Sequence, residues 1–126
     1  MLEHLRQRVI QALADAHTAT LSTYGPAGLQ SSRLACEASG TELYLLVPRT
    51  SDHLFNLETE RDVTLVNETW HMNGSGQVVR LLECPPDLGL VRCLEAGWSE
   101  VVRVRPRRVT ILWPGSKTPA VTIDVD

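Results

Sequence analysis

No apolar run in this 126-residue chain approaches the roughly 18 to 20 residues that a bilayer-crossing helix needs, so no membrane-spanning helix is expected. A basic excess is missing too. Twelve Lys and Arg stand against fifteen Asp and Glu, for a formal charge of −3 and a pI near 5.8. That balance argues against a dedicated nucleic-acid or membrane-surface binder. The N-terminus, Met1 to Arg8, is amphipathic and has no apolar core after a charged cap, so no signal peptide is expected. Cys-x-x-Cys pairing is absent, and Cys36, Cys84 and Cys93 are odd in number. A disulfide framework is therefore not expected, a reducing cytoplasm fits best, and each cysteine reads as a small buried apolar residue. The four histidines show no H-x-x-H or Cys/His spacing that would suggest a metal site. No G-x-S-x-G motif suggests a nucleophile. With no internal repeat, low-complexity tract or linker, residues 1–126 read as a single domain.

What is present is a regular succession of short elements. Leu2, Leu5, Val9, Leu13 and Ala16 fall at three- and four-residue steps, which predicts an amphipathic helix over residues 2–15. His17 to Tyr24 reads as a strand, and Gly25-Pro26-Ala27-Gly28 as a turn. Leu29 to Ala38 predicts a second strand, Ser39-Gly40 a turn and Glu42 to Val47 a third strand. Links this short make the three antiparallel neighbours. Thr50 or Ser51 can cap a short helix through Glu58, with Asp52 in its first turn, and Val63 to Asn67 reads as a fourth strand.

Asn73-Gly74-Ser75-Gly76 predicts a turn or bulge leading into a strand at Gln77 to Glu83. Pro85-Pro86-Asp87 then starts a helix over Leu88 to Ala96, with Gly97 as its C-cap. In the tail, Val102 and Val104 alternate with arginines. Val109, Ile111 and Trp113 alternate with Arg108, Thr110 and Leu112, and Val121, Ile123 and Val125 form a last strand. The sum is a mainly β chain of six or seven antiparallel strands with two or three short helices.

Residues 17–67 carry the functional signal: three hairpin-linked strands, a polar helix start and a further strand suit a small barrel holding an anion against its outer wall. Backbone N–H groups at a helix start are unsatisfied. With the Ser51 hydroxyl, the Arg33 guanidinium and a protonatable His53, they make a phosphate cradle.

Several residues here match a known family. Ala19-Thr20-Leu21-Ser22-Thr23 before the turn, Ser51-Asp52-His53-Leu54-Phe55-Asn56-Leu57, Asp62-Val63-Thr64-Leu65 and Val104-Arg105-Pro106 resemble the FMN-binding split-barrel proteins related to pyridoxamine 5′-phosphate oxidase. The resemblance spans about residues 8–113. It implies an antiparallel split β-barrel that dimerises, with FMN between two copies of the chain and the flavin supplying oxidoreductase chemistry on a substrate that the sequence does not identify. Carried over, Arg33 and the adjoining Leu34 contact the cofactor from the second strand. Ser51 and His53 lie near the phosphate, and His71 reaches the flavin from the partner subunit. Oxidases of the family place arginine and lysine where this chain has Asp52 and His53, and a second-strand lysine where it has Ala38. The rival expectation is a non-enzymatic split-barrel dimer that binds haem or a deazaflavin, or has lost its cofactor site.

Each residue also has a plainer role. Arg33 could pair with Glu37 or Glu42, Ser51 could act only as an N-cap, and His53 could be an exposed first-turn residue. Trp70-His71 suits a flavin platform, or an interface or core position, and Trp98 and Trp113 suit the core or dimer packing. The arginines at 103, 105, 107 and 108 suit a solvated or interface edge, where Pro106 would be tolerated.

Overall fold

The computed structural model describes residues 2–90, 98–112 and 121–125. Helix α1 (Leu2–Ala14) leads into β1 (Thr18–Thr23), β2 (Gln30–Ser39) and β3 (Glu42–Pro48). Helix α2 (Asp52–Leu57) follows, then β4 (Asp62–Val66), β5 (Trp70–Val79), a one-turn 3-10 helix (Leu81–Glu83), β6 (Ser99–Ile111) and β7 (Val121–Asp124). All strand pairs are antiparallel, in the order β3-β2-β1-β4-β5-β6-β7, and a further β3–β6 pairing closes six strands into a barrel with β7 added outside the ring. The mainly β antiparallel barrel expected from the sequence is therefore present.

The hairpins follow their turn chemistry. Gly40 has φ +60, as the first central residue of the two-residue link between Ser39 and its partner Glu42. Strand β1 alternates cleanly, sending Ala19, Leu21 and Thr23 inward and Thr18, Thr20 and Ser22 outward. Leu21, Leu43, Leu45, Leu65, Trp70, Met72, Val102, Val104 and Val109 fill the barrel. α1 adds Val9 and Leu13 to this core, while α2 packs on β1 and β5 and buries His53, Asn56 and Leu57.

Two features sharpen or change the sequence reading. Of the turn or bulge expected at Asn73-Gly74-Ser75-Gly76, the bulge is what forms: the stretch is the middle of β5, and the register against β6 shifts between Asn73 and Gly74. The turn lies earlier, where Asn67 Oδ1 accepts from the Thr69 N–H and hydroxyl (both 3.1 Å) and the Asn67 N–H reaches the Trp70 carbonyl at 2.9 Å. An Asn side chain that bonds two residues ahead makes a turn without glycine. Gly74 and Gly76 instead face the crowded barrel interior. As a result, residues 81–83 form the 3-10 turn and are not strand.

The second concerns β6, one continuous strand whose register skips Arg107. Asn73 pairs with Arg108 and Gly74 with Pro106. This bulge accounts for the change of parity between Val102/Val104 and Val109/Ile111, all of which face inward. Pro106 is buried, and as expected it has a locally open edge on one side. It sits where the β3 pairing has ended at Val104 and the β7 pairing begins at Arg108, so its missing N–H leaves no second ladder incomplete. Of the expected helix at 88–96, residues 91–96 lie outside the described residues, as do its expected C-cap Gly97 and Trp113; Cys93 is among them. Among the described residues no helix is long and apolar enough to cross a membrane.

Candidate functional site

The outer wall of the barrel is a polar sheet face. Its residues are set by register: Thr20 lies opposite Arg33, Ser22 opposite Ser31 and Thr64, Val66 opposite His71, and Thr64 opposite Asn73. Ser22 and Ser31 hydroxyls are 2.8 Å apart. Two grooves run along this face. One, of about 500 Å3, is lined by Asp15, His17, Thr18, Thr20, Arg33, Val66, Asn67 and Glu68, among others. The other, of about 660 Å3, includes Ser22, Tyr24, Leu29, Asn73, Arg107 and Arg108. Both fall in the ~300–1,000 Å3 range of small-molecule sites.

The wall arginines differ in their partners. Arg107 binds Asp62 and Arg108 binds Asp124, each at 2.8 Å. Arg33 meets no carboxylate among the described residues. Its Nε and Nη2 donate to the Thr18 hydroxyl at 3.3 and 3.2 Å. The two candidate partners are engaged elsewhere. Glu42 binds Arg105 at 2.6 Å, and Glu37 accepts from the Gly89 and Leu90 N–H groups at 3.0 and 2.8 Å. Among the described residues Arg33 therefore offers a cation outside any ion pair, beside two threonine hydroxyls, the donor set that an anion recognises.

The five expected cofactor contacts are divided between two places. Arg33 and His71 share the outer wall, both exposed. Leu34, next to Arg33, alternates inward, packs against the core and lies opposite Ala19. Ser51 caps α2, its hydroxyl accepting from the His53 N–H at 3.1 Å. His53 is neither at the surface nor beside Arg33. It is 1% exposed, with Nδ1 2.7 Å from Thr23 Oγ1 and Nε2 3.0 Å from Ser32 Oγ. Burial lowers its pKa from the usual histidine value, partly offset by the nearby Asp52 carboxylate. Its burial follows from α2 lying across the end of β1, which turns the first-turn ring into the gap between β1 and β2.

Asn56 is the residue that sequence reasoning missed. Fully buried, it donates to Thr23 Oγ1 (3.1 Å) and the Gly28 carbonyl (2.9 Å) and accepts from the Ala27 N–H (2.9 Å). It thus clamps the Gly25–Gly28 turn to α2. Thr23 Oγ1 accepts from Asn56 and keeps a second lone pair and its own proton, so it can donate to His53 Nδ1 or accept from it, and Ser32 can take either role at Nε2. Burial also pushes the Cys36 thiol up to about 11 and raises Cys84, so neither is poised as a thiolate. No cluster of metal-ligating side chains occurs among the described residues.

No family model matches the sequence, and no curated protein matches it. Solved structures do. General Stress Protein 26 from Bacillus anthracis superposes with a TM-score of 0.68 at 12% identity, over 95% of this chain and 99% of its own. A Clostridium acetobutylicum protein related to general stress protein 26, of the pyridoxinephosphate oxidase family, gives 0.66 at 8% identity over 98% of this chain and 94% of its own. The chain has the pyridoxamine 5′-phosphate oxidase-like split-barrel fold. A haem-binding protein from Mycobacterium smegmatis carries it as well, with a TM-score of 0.66 at 15% identity over 94% of this chain and 56% of its own.

Within this split barrel Trp70 takes the core alternative of the sequence reading and Trp98 does not. Trp70 is a core residue with no exposed surface, and its Nε1–H has no partner among the described residues, so it is no platform on the wall. Trp98 is exposed and not part of the core.

Proposed function

We propose that this protein binds FMN on the outer wall of its barrel, with the cofactor phosphate at Arg33, and serves as an FMN-dependent oxidoreductase. The observation that carries the reading is the Arg33 guanidinium, held only by Thr18 in a groove of ligand size. The groove fits a phosphate: Thr18 and Thr20 add hydroxyls, although Asp15 and Glu68 also line it. His71 lies one strand beyond Val66 on the same face, where a second copy of the chain could present it to the flavin. Exposed Tyr24, Leu29 and Val66 give that face apolar surface for such a partner. A bound flavin would supply the hydride or electron transfer. The chain's own residues hold and orient it.

The test is an absorption spectrum of the purified protein, followed by titration with FMN. Flavin bands released on denaturation, or saturable uptake of added FMN, are expected. A colourless protein that takes up none overturns the reading. Arg33→Ala should weaken FMN binding about 10- to 100-fold, the equivalent of the roughly 1.5–3 kcal/mol of a charge-assisted bond. Unchanged affinity would remove Arg33 from the site. The exposed His71 and the haem-binding neighbour favour haem as the second reading. A Soret band, lost in His71→Ala, would select it.

A further inference from the structure

The buried end of the barrel holds a polar chain that no cofactor role uses. One imidazole, that of His53, bridges two adjacent strands, through Thr23 on β1 and Ser32 on β2. Asn56 extends the chain from Thr23 to the Gly25–Gly28 turn. Helix α2 has six residues, too few to persist through its own backbone bonds. Its seat is therefore these side-chain bonds together with the burial of Leu57.

Burial, not a shortage of acceptors, opposes a second ring proton. Nδ1 and Nε2 are both held by neutral hydroxyls, those of Thr23 and Ser32, and neither supplies a compensating negative charge. A second proton would place a full charge on a ring that is 1% exposed.

The charged groups around the ring do not relieve this. On α2 itself, Asp52 favours the protonated ring but is outweighed by burial, and Glu58 lies at the far end as the C-cap. β1 carries no ionisable side chain. On β2, Arg33 turns outward to Thr18, Glu37 is held by Gly89 and Leu90, and Cys36 is buried further along the strand. On β5, the other strand against α2, His71 points to the outer wall. Tyr24, at the start of the turn, is exposed.

We propose that His53 is a pH-sensitive latch: α2 and the Gly25–Gly28 turn stay seated on the barrel while the ring is neutral and come away together when it takes a second proton. The inference stands apart from FMN binding, since no ligand enters it. The sign follows from the burial. An exposed imidazole protonates near ~6.5 and the seated ring only at lower pH. Below ~6.5 each pH unit therefore shifts the seated–unseated equilibrium about tenfold toward the unseated form, until the seated ring itself protonates.

Amide hydrogen exchange on the ligand-free full chain tests this, with rates corrected for their intrinsic pH dependence. The Ala27 and His53 amides report the latch because their acceptors are Asn56 Oδ1 and Ser51 Oγ; Leu65, in the core, reports the barrel. Protection at Ala27 and His53 should fall about tenfold per pH unit below ~6.5 while that of Leu65 holds. Nitrogen NMR should show a neutral ring near neutral pH. His53→Gln, which cannot titrate, should lose the pH step whatever its baseline protection. If that variant does not fold, the wild-type ring titration and Ala27 protection decide the matter. Protection that is flat with pH, a ring that titrates without any change at Ala27, or the same step in His53→Gln would each overturn the latch.

Discussion

Asn56→Ala is expected to lower unfolding stability by about 3–4 kcal/mol, the largest loss anticipated for any single side chain of α2. The substitution does more than remove three hydrogen bonds. It leaves the Ala27 N–H and the Gly28 carbonyl without their side-chain partner at a part-buried position, and it takes away the donor that fixes the direction of the Thr23 hydroxyl. Each polar group stranded out of water costs about 1–3 kcal/mol. For a chain of this size the sum corresponds to a fall in Tm of about 10 °C.

Asn56→Asp separates shape from chemistry. It keeps the acceptor for Ala27 but sets a carboxylate oxygen against the Gly28 carbonyl. Near neutral pH its deficit should match that of alanine. Burial against the carbonyl raises the folded carboxyl's pKa, so the deficit relative to wild type should begin to shrink above about pH 4 and its charge-dependent part be gone below it. Thermal and urea denaturation of the three proteins across pH would check both. A loss under ~1 kcal/mol for Asn56→Ala would mean that water replaces the side chain and that the clamp is dispensable.

Gly74→Ala should cost about 3 kcal/mol, whereas Gly76→Ala, two residues along the same strand, should cost about 1 kcal/mol or less. A methyl at Gly74 would lie 2.6 Å from the Arg105 carbonyl oxygen and 3.0 Å from Val104 Cγ1. The carbonyl belongs to the backbone of β6 beside its bulge, so relief requires moving the strand that closes the barrel. At Gly76 the nearest atoms are Val63 Cγ1 and Leu57 Cδ2 at 3.1 and 3.2 Å. These are side-chain ends that can give by a few tenths of an ångström, and alanine also recovers some of the entropy that glycine loses on folding. Urea midpoints of the pair decide it. Equal losses would show that β6 shifts as readily as two methyl groups.

Much of this architecture was legible because strand signals are local. Alternation at Thr18–Thr23 and the turn residues at 25–28 and 39–40 placed the first hairpins to within a residue or two. The bulge was written into the tail as two alternating series of opposite parity, although only the paired structure shows that Arg107 is the residue skipped. The glycines at 74 and 76 left turn and bulge open because glycine serves both turns and close approaches, and sequence does not distinguish them. Asn67, the residue that makes the real turn, gave no comparable signal.

At the candidate site, strand alternation placed Arg33 outward, but the lack of a carboxylate partner could be seen only once Glu37 and Glu42 were located on their own partners. His53 and Asn56 read as ordinary polar positions of a short helix. Their burial depends on where α2 crosses the end of β1, which no local pattern encodes.

Strand β6 pairs with three others: β5 along most of its length, β3 through its first half and β7 through its last residues. The ring therefore closes only when residues 99–111 are available, after the first five strands have been made. A nascent chain that stops before Ser99 has β3 and β5 with open edges, a template for pairing between chains. The order of synthesis thus opposes piecemeal folding. The first five strands must wait for the sixth, and the slow, non-local pairing of β3 with β6 becomes the step at which aggregation competes with folding.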